Sequence, residues 1–210
     1  ETLSLAHDLG HTPFGHAGEE ALNDCMKNYG GFDHNIQTLR IITTLENRYY
    51  DYKGLNLSIE TLDGLIKHNG PVKDLTKFNK ILGNNFFKKK INFTLNPSLE
   101  AQIASISDDI AYNSHDLEDG LKSNLFDLNH LRNIPVLDTI ISKHKKKLKR
   151  YSIDLIIRQI IRESINQMVS DVISTNKKNI TLYKIKNLKD IYHTKHQLVT
   201  FSQKMQNFNK

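Results

Sequence analysis

The sequence has little that could crosslink the chain or hold it in a membrane. Its 210 residues include one cysteine, Cys25, so no internal disulfide can form. The longest apolar runs, such as IDLIIRQII, are short and interrupted by charged residues, which excludes a membrane-spanning helix. The first residues do not resemble a signal peptide. We therefore predict a water-soluble protein of the reducing cytoplasm.

Glycine and proline are scarce, with ten and four residues, and they separate segments in which apolar residues recur at helical spacing. Helices are expected before Gly10, before the Gly30–Gly31 pair and after a capping Ser58. A further helix is expected in FDHNIQTLRIITTLENR, with four apolar residues on one side, Ile36, Leu39, Ile42 and Leu45. Residues 72–97 read as helix plus loop.

The second half of the chain also reads mainly as helix. A long helix is expected from Ser98 to about Lys122, and beyond Pro135 either two helices or one kinked helix. The tail from Lys177 contains two strand-capable pieces, NITLYKI and HQLVTF. The overall pattern nevertheless predicts an all-α protein.

Positive charges are in excess, and the formal net charge is +6. Much of the excess lies in FFKKK at 86–90 and KHKKKLKR at 143–150. Runs of this kind are usually the solvent-facing sides of helices. The excess favours anionic partners, and we leave open a weak contact with nucleic acid.

The stretch LAHDLGHTPFGHAGEE concentrates side chains that bind metals and transfer protons. His7 and Asp8 are adjacent at the expected end of a helix. An imidazole nitrogen together with a carboxylate oxygen suits Mn, Fe, Co, Zn or Mg. Two ligands do not make a site, so at least one more is expected elsewhere in the chain.

The same stretch contains groups suited to acid–base chemistry. The glycines and Pro13 turn the chain tightly, so His11 and His16 are expected near one pocket. His16 and Glu19 are three residues apart at the start of the next helix and share a face. A histidine that transfers protons and a carboxylate that orients it would have this spacing.

The long helix after Pro97 carries acidic residues that could complete a metal site. Asp108, Tyr112 and Asp116 follow one another at intervals of four and lie along one side. Small residues at 101 and 104 precede them, so this stripe is expected to be buried, and a buried carboxylate needs a partner such as a metal. An alternative is that the acidic residues face solvent. A second stripe has the composition of a core, with Leu99, Ile103, Ile106, Ile110 and Leu117.

Four motifs, in order along the chain, resemble the deoxyguanosine triphosphate triphosphohydrolase branch of the HD-domain phosphohydrolases. They are LAHDLGHTPFGHAGE, FDHNIQTLRI, GLNLSIETLDGLIKHNGP and SDDIAYNSHDLEDGL. A fainter similarity continues to HQLVTFSQKM. The resemblance implies an all-α HD-domain fold, with a catalytic core at 1–125 and a C-terminal helical extension at 126–210.

The resemblance also implies a divalent metal, such as Mn or Mg, held by a histidine, an adjacent His–Asp pair and a distant aspartate. His7 and Asp8 match the central pair, and Asp108 matches the distant ligand. The implied reaction is attack of water on the α-phosphorus of a deoxynucleoside triphosphate, with dGTP favoured. Its products are the deoxynucleoside and intact tripolyphosphate.

Other positions match residues that contact the substrate in that family. His16, held by Glu19, matches the acid/base pair that protonates the departing 5′ oxygen. His11 and His34 match phosphate contacts.

Two further positions match contacts to the sugar. Asp116 would meet the 3′ hydroxyl, and Tyr112 would crowd a ribose 2′ oxygen. Lys67 and His68 also fall on a matching motif, without an assigned role. Relatives form oligomers, which makes a homo-oligomer an expectation here.

One departure from the family pattern leaves alternatives open. The first metal histidine of the family lies upstream of the His–Asp pair, and this chain begins six residues before His7. The expectation is therefore a piece of a longer hydrolase. The alternatives are another HD-domain phosphohydrolase, or a catalytically impaired remnant that binds nucleotide or nucleic acid.

Overall fold

A computed structural model describes residues 1–74, 76, 78, 91–144, 147 and 149–206. All regular structure in these residues is helical, apart from one isolated bridge between Asn47 and Gly54. The predicted all-α class is confirmed. Most of the helix-plus-loop region predicted at 72–97, the basic run at 86–90 and part of the run at 143–150 lie outside the described residues.

The α-helices of the described part are numbered in chain order. They are α1 Thr2–Ala6, α2 Gly15–Cys25, α3 His34–Arg40, α4 Ile59–Lys67, α5 Leu99–Lys122, α6 Pro135–His144, α7 Ile153–Leu182, α8 Leu188–His193 and α9 Gln203–Gln206. Two helices beyond Pro135, rather than one kinked helix, are thus present as α6 and α7. No helix within the described ranges combines the length and the apolarity needed to span a bilayer.

Polar side chains fix the starts of several helices by accepting hydrogen bonds from backbone N–H groups that would otherwise lack partners. Ser58 accepts from Thr61 N before α4, as the sequence predicted. Asp33 accepts from the second and third residues of α3. Asn187 and Asp190 form a reciprocal capping box at the start of α8.

A π-helical turn, Ile41–Leu45, directly follows α3 and changes the direction of the next side chains. Ile36, Leu39 and Ile42 are buried, as their spacing predicted. Leu45, predicted on the same side, is 50% exposed. The extra residue in a π turn breaks the regular helical spacing, and a sequence pattern does not reveal such a turn.

Contacts between Cα atoms divide the chain into two compact units. The first unit consists of Glu1–Ser105 and Asn187–His196, and the second of Ile106–Lys186 and Gln197–Lys210. Helix α5 begins in the first unit and continues into the second. The predicted division at residue 125 stays a prediction.

The core of the first unit joins α1, α3, α4 and the start of α5. α1 and α3 both contact α4. Gly64 on α4 lies so close to Leu3 that an added Cβ would be 2.8 Å from its side chain. The buried residues of this core are Leu3, Ala6, Leu39, Ile42, Leu62, Leu65, Ile66, Ile91, Phe93, Ala101 and Ala104.

A buried ion pair ends α4 inside this unit. Lys67, which is 1% exposed, lies 2.7 Å from the Asp63 carboxylate through its Nζ atom. The same Nζ atom donates to the backbone oxygens of Asn92 and Asn96, each at 3.4 Å. It also lies 4.9 Å from the centre of the Tyr192 ring, a cation–π distance. This lysine therefore connects α4 with α8.

The second unit is built on the contact between α6 and α7. Polar side chains also join the two helices, where His144 Nε2 lies 3.1 Å from Glu163 and Lys143 pairs with the same carboxylate. The buried apolar residues of the two helices are Val136, Leu137, Ile140, Ile141, Ile156, Ile157, Ile160, Ile161, Met168 and Val172.

The two strand-capable pieces of the tail do not form strands. NITLYKI falls largely within α7, which continues to Leu182. HQLVTF has no helix and no strand, and Leu198 and Val199 are fully buried. Side chains of α7 hold it, because Asn179 donates to Leu198 O at 2.8 Å and Asp171 accepts from Ser202 N and Oγ at 2.7 Å. These polar contacts replace the partner strand that a sheet would have supplied.

The two stripes expected on α5 are covered differently from the prediction. Ala101 and Ala104 are buried. Asp108, Tyr112 and Asp116, which continue that stripe, are exposed, so their predicted burial is wrong. Ile103, expected in the core, is 46% exposed. Helical spacing decides which residues share a side, whereas burial depends on what packs along each part of the helix.

Candidate active site

The His7–Asp8 pair lies in the turn that follows α1. His7 is the C-cap residue of that helix, and its Nδ1 atom lies 3.0 Å from Ser4 O. A carbonyl oxygen only accepts, so Nδ1 carries the proton and Nε2 carries the lone pair. This is the tautomer in which a histidine binds a metal through Nε2.

The structure brings three of the expected metal ligands together. One ligand atom each of His7, Asp8 and Asp108 lies within 4.8 Å of the others. His7 is partly buried, and the two aspartates are exposed. One imidazole nitrogen and two carboxylate oxygens form a donor set that suits Mn²⁺, Fe²⁺ or Mg²⁺. The residues therefore fit a divalent metal ion.

A strained turn reverses the chain between the His–Asp pair and α2. Phe14 and Gly15 have positive φ values of 67° and 58°, an uncommon backbone conformation for phenylalanine. Thr12 Oγ1 donates to Gly15 O at 3.2 Å across the turn. An added Cβ on Gly18 would lie 1.9 Å from Pro13 O, so only glycine fits there. The tight turn predicted from the glycines and Pro13 is present.

Three histidines lie around this turn. The ring centroids of His11 and His34 are 5.2 Å apart, those of His11 and His16 are 5.8 Å apart, and those of His16 and His34 are 6.5 Å apart. His16 is exposed and the other two are partly buried. When doubly protonated, three imidazole rings at these separations offer several hydrogen-bond donors to one anionic group.

Glu19 contacts a different histidine from the one expected. The sequence predicted that Glu19 orients His16, because they share a face of α2. In the structure both Glu19 oxygens lie 2.9 Å from His34 Nδ1, and His34 N donates to Glu19 Oε1 at 2.8 Å. The expected Glu19–His16 pairing is therefore corrected to Glu19–His34. Position on one helix face did not decide the partner, because the start of α3 lies beside the start of α2.

His34 also determines the electrostatics of Glu19. Burial alone raises the pKa of the Glu19 carboxyl, but other effects outweigh it. The hydrogen bonds from the backbone and ring of His34, with the charges of His34 and His11, hold this pKa below its usual range. Glu19 therefore stays ionised at neutral pH and keeps the proton of His34 on Nδ1.

Replacing Glu19 by Gln is expected to destabilise the protein in a pH-dependent way. A carboxyl whose pKa is lowered on folding stabilises the fold above its unfolded pKa, and this contribution is lost as the pH falls. E19Q should lower the free energy of unfolding by about 1.5 kcal/mol near neutral pH and by much less in acid. Urea denaturation followed by circular dichroism measures both. The exposed neighbour Glu20 gives the control, E20Q, and an equal E19Q loss at both pH values would contradict the expectation.

His68, which falls on a matching motif without an assigned role, lies beside the His–Asp pair. Its ring centroid is 5.5 Å from that of His7 in an edge-to-face arrangement. Its Nδ1 atom donates to Leu65 O at 2.7 Å, and burial lowers its pKa. His68 is therefore a neutral, buried support for the His7 ring. Lys67, the other residue of this motif, is engaged in the ion pair with Asp63.

Tyr112 and Asp116 lie one and two helical turns beyond Asp108 on α5, as their spacing predicted. Both are exposed, Tyr112 to 62%. Their contacts to a sugar stay predictions. Thr38, by contrast, was not suspected from the sequence. Its side chain is buried against the turn that carries His7 and Asp8, and a lone threonine in a helix has no sequence signal of such a role.

No family model matches the chain. Relatives do match it along nearly its whole length. A protein of Pelagibacter ubique (strain HTCC1062) is 55% identical over 210 residues, which is 100% of this chain and 57% of the relative. Its name is deoxyguanosinetriphosphate triphosphohydrolase-like protein. The chain belongs to this triphosphohydrolase-like family.

Two other relatives with the same name support the assignment. The protein of Rickettsia typhi (strain Wilmington) is 45% identical over 206 residues, and that of Rickettsia felis is 43% identical over 204 residues. Each match covers 97% of this chain and 53% of the relative. The chain thus spans about half the length of the curated triphosphohydrolase-like relatives it matches.

Proposed function

We propose that this chain carries the catalytic residues of a metal-dependent deoxynucleoside triphosphate triphosphohydrolase, with dGTP as the favoured substrate. The observation that carries the proposal is the approach of His7, Asp8 and Asp108 to within 4.8 Å of one another. The names of the relatives support the reaction class. The cluster of His11, His16 and His34 supports a phosphate-bearing substrate, because doubly protonated imidazole rings donate hydrogen bonds to phosphate oxygens.

A divalent metal ion, when bound, supplies Lewis-acid polarisation of a phosphoryl oxygen and lowers the pKa of water. His7 would hold it through Nε2, and Asp8 and Asp108 through carboxylate oxygens. The tautomer of His7 is fixed by the hydrogen bond from Nδ1 to Ser4 O, so the ligand nitrogen needs no proton rearrangement.

The remaining groups would bind the phosphates and move one proton. In the reaction a water oxygen forms a bond to the α-phosphorus, and the bond from phosphorus to the 5′ oxygen breaks. The departing 5′ oxygen takes a proton, for which the exposed His16 is the proposed donor, and the attacking water gives up one proton in exchange. Glu19 keeps His34 oriented through the Nδ1 contacts, so the His34 ring stays beside its neighbours His11 and His16.

Product identity tests the proposal most directly. With Mn²⁺ or Mg²⁺, dGTP is expected to yield deoxyguanosine and tripolyphosphate in equal amounts, read by ³¹P NMR and liquid chromatography. The four dNTPs and GTP are compared, and the chain and the full-length product of its gene are assayed in parallel. Release of orthophosphate or pyrophosphate would instead favour another HD-domain phosphohydrolase. Binding of dGTP without turnover in both proteins would favour a catalytically impaired remnant.

Three broader expectations stay predictions under this proposal. They are a homo-oligomer, a weak contact of the basic segments with nucleic acid, and a cytoplasmic location. Light scattering measures the first. The salt dependence of a gel-shift assay measures the second, because phosphate contacts weaken as salt rises.

A further inference from the structure

We propose that Thr38 is a positioning residue for the His7–Asp8 pair, a role that rests on the proposed metal-dependent function. Its hydroxyl makes two hydrogen bonds to the turn that carries the pair. Thr38 Oγ1 donates to His7 O at 3.0 Å and accepts from Gly10 N at 2.9 Å. A hydroxyl offers one donor and two acceptor positions, so both bonds form at once.

The two bonds bracket Asp8 in the chain. His7 lies directly before it and Gly10 two residues after it, so one side chain holds the backbone on both sides of the carboxylate. Within the turn, Leu9 N donates to Ala6 O at 3.3 Å and His11 N donates to Asp8 O at 3.0 Å. Thr38 adds two bonds that come from α3. Thr38 is 2% exposed, and water cannot easily replace its hydroxyl. The position of Asp8 therefore depends on α3.

Close packing against the backbone of α3 also restricts the position of the turn. An added Cβ on Gly10 would lie 2.4 Å from His34 O and 2.4 Å from Thr38 N. Gly10 is thus pressed against the backbone of α3. The same helix begins with His34, which contacts Glu19. Through Thr38, α3 holds the His–Asp pair at a fixed position relative to the histidine cluster.

The chemistry of the side chain separates positioning from simple packing. Valine has nearly the shape of threonine but neither donates nor accepts, whereas serine keeps the hydroxyl and loses a methyl group. Thr43 provides a matched control, because its Oγ1 donates to Leu39 O within its own helical segment. Thr43→Val therefore removes a threonine hydroxyl from the same region without touching the turn.

The experiment measures Mn²⁺ binding by electron paramagnetic resonance for the wild-type chain and for T38V, T38S and T43V. Loss of a group that orients metal ligands typically weakens metal binding about 10–100-fold, and we expect T38V to fall in this range. T38S and T43V should stay within about threefold of the wild type. Activity of T38V on dGTP at low Mn²⁺ should be recovered by excess Mn²⁺, which a folding defect would not allow.

Several results would overturn the proposal. One is a folded T38V, by circular dichroism, that binds Mn²⁺ as tightly as the wild type. If T38V does not fold, T38S decides, and a loss of more than about tenfold in its affinity counts against the hydroxyl. If the wild type hydrolyses dGTP and T38V binds Mn²⁺ with unchanged affinity, the role of Thr38 is wrong and the proposed function stands. If the wild type binds Mn²⁺ and T38V binds it more weakly, but dGTP is not hydrolysed, only the proposed function is wrong. If the wild type binds no Mn²⁺, both proposals are wrong.

Discussion

Asp8→Ala is expected to abolish hydrolysis of dGTP while leaving the fold intact. Asp8 supplies one of the three clustered ligand atoms, and its removal leaves one nitrogen and one carboxylate. A loss of about 4 kcal/mol of transition-state stabilisation slows a reaction about 10³-fold, which we take as the minimum effect. The measurement is kcat for tripolyphosphate release at saturating dGTP, with Mn²⁺ affinity determined in parallel.

Because Asp8 is exposed, its replacement should change activity with little effect on stability. Its side chain is 52% exposed, so the change should alter the free energy of unfolding by only about 0.5 kcal/mol. Asp24 on α2 is also exposed, and Asp24→Ala is the matched control with unchanged activity. A D8A protein that keeps more than a tenth of the wild-type kcat would contradict the proposed ligand role.

Lys67→Met is expected to give the largest loss of stability. Methionine fills much of the space of the lysine stem but leaves the buried Asp63 carboxylate without its cation. Breaking a buried pair by removing one partner costs about 3–5 kcal/mol. Urea denaturation followed by circular dichroism measures this change at neutral pH. The control is Lys122→Met, because Lys122 pairs with Glu118 at the same i,i+4 spacing but is 41% exposed and should cost about 0.5 kcal/mol or less.

The Lys67→Met deficit should also depend on pH. Burial raises the pKa of Asp63, and the hydrogen bond and charge of Lys67 oppose that rise. Without Lys67 the folded-state pKa rises further above the unfolded one. A group of this kind favours folding below its unfolded pKa and loses that contribution as the pH rises through its folded pKa. The deficit should therefore be largest at neutral pH and shrink in acid. A deficit below about 1 kcal/mol, or one that grows in acid, would contradict this account.

Local patterns predicted the features that depend on neighbouring residues. The Ser58 cap and the tight turn around Pro13 follow from short-range rules that hold in most proteins. The meeting of His7, Asp8 and Asp108 could be expected only because whole motifs resembled a known family. Spacing along the chain does not bring residues a hundred positions apart together.

Features that depend on packing between distant elements could not be predicted from local sequence patterns. Glu19 contacts His34 rather than His16, because the neighbouring helix start offers a second N–H donor. The HQLVTF segment lacks a partner strand, because Asn179 on α7 donates to Leu198 O and Asp171 holds Ser202, the residue that follows the segment. Thr38 has no pattern of its own, since its importance comes from the turn that packs against it.

The attachment of α8 to the first unit bears on how the chain is made. Asn96 N donates to Tyr192 O at 3.2 Å, and the Asn96 side chain donates to Thr194 O. These hydrogen bonds can form only once residues near 194 have been synthesised. A ribosome adds those residues only after it has synthesised about a hundred more residues beyond Asn96. Contacts between residues about a hundred positions apart also slow folding, because a long loop must close before they form. The first unit would therefore stay incompletely assembled until residues near 194 emerge from the exit tunnel.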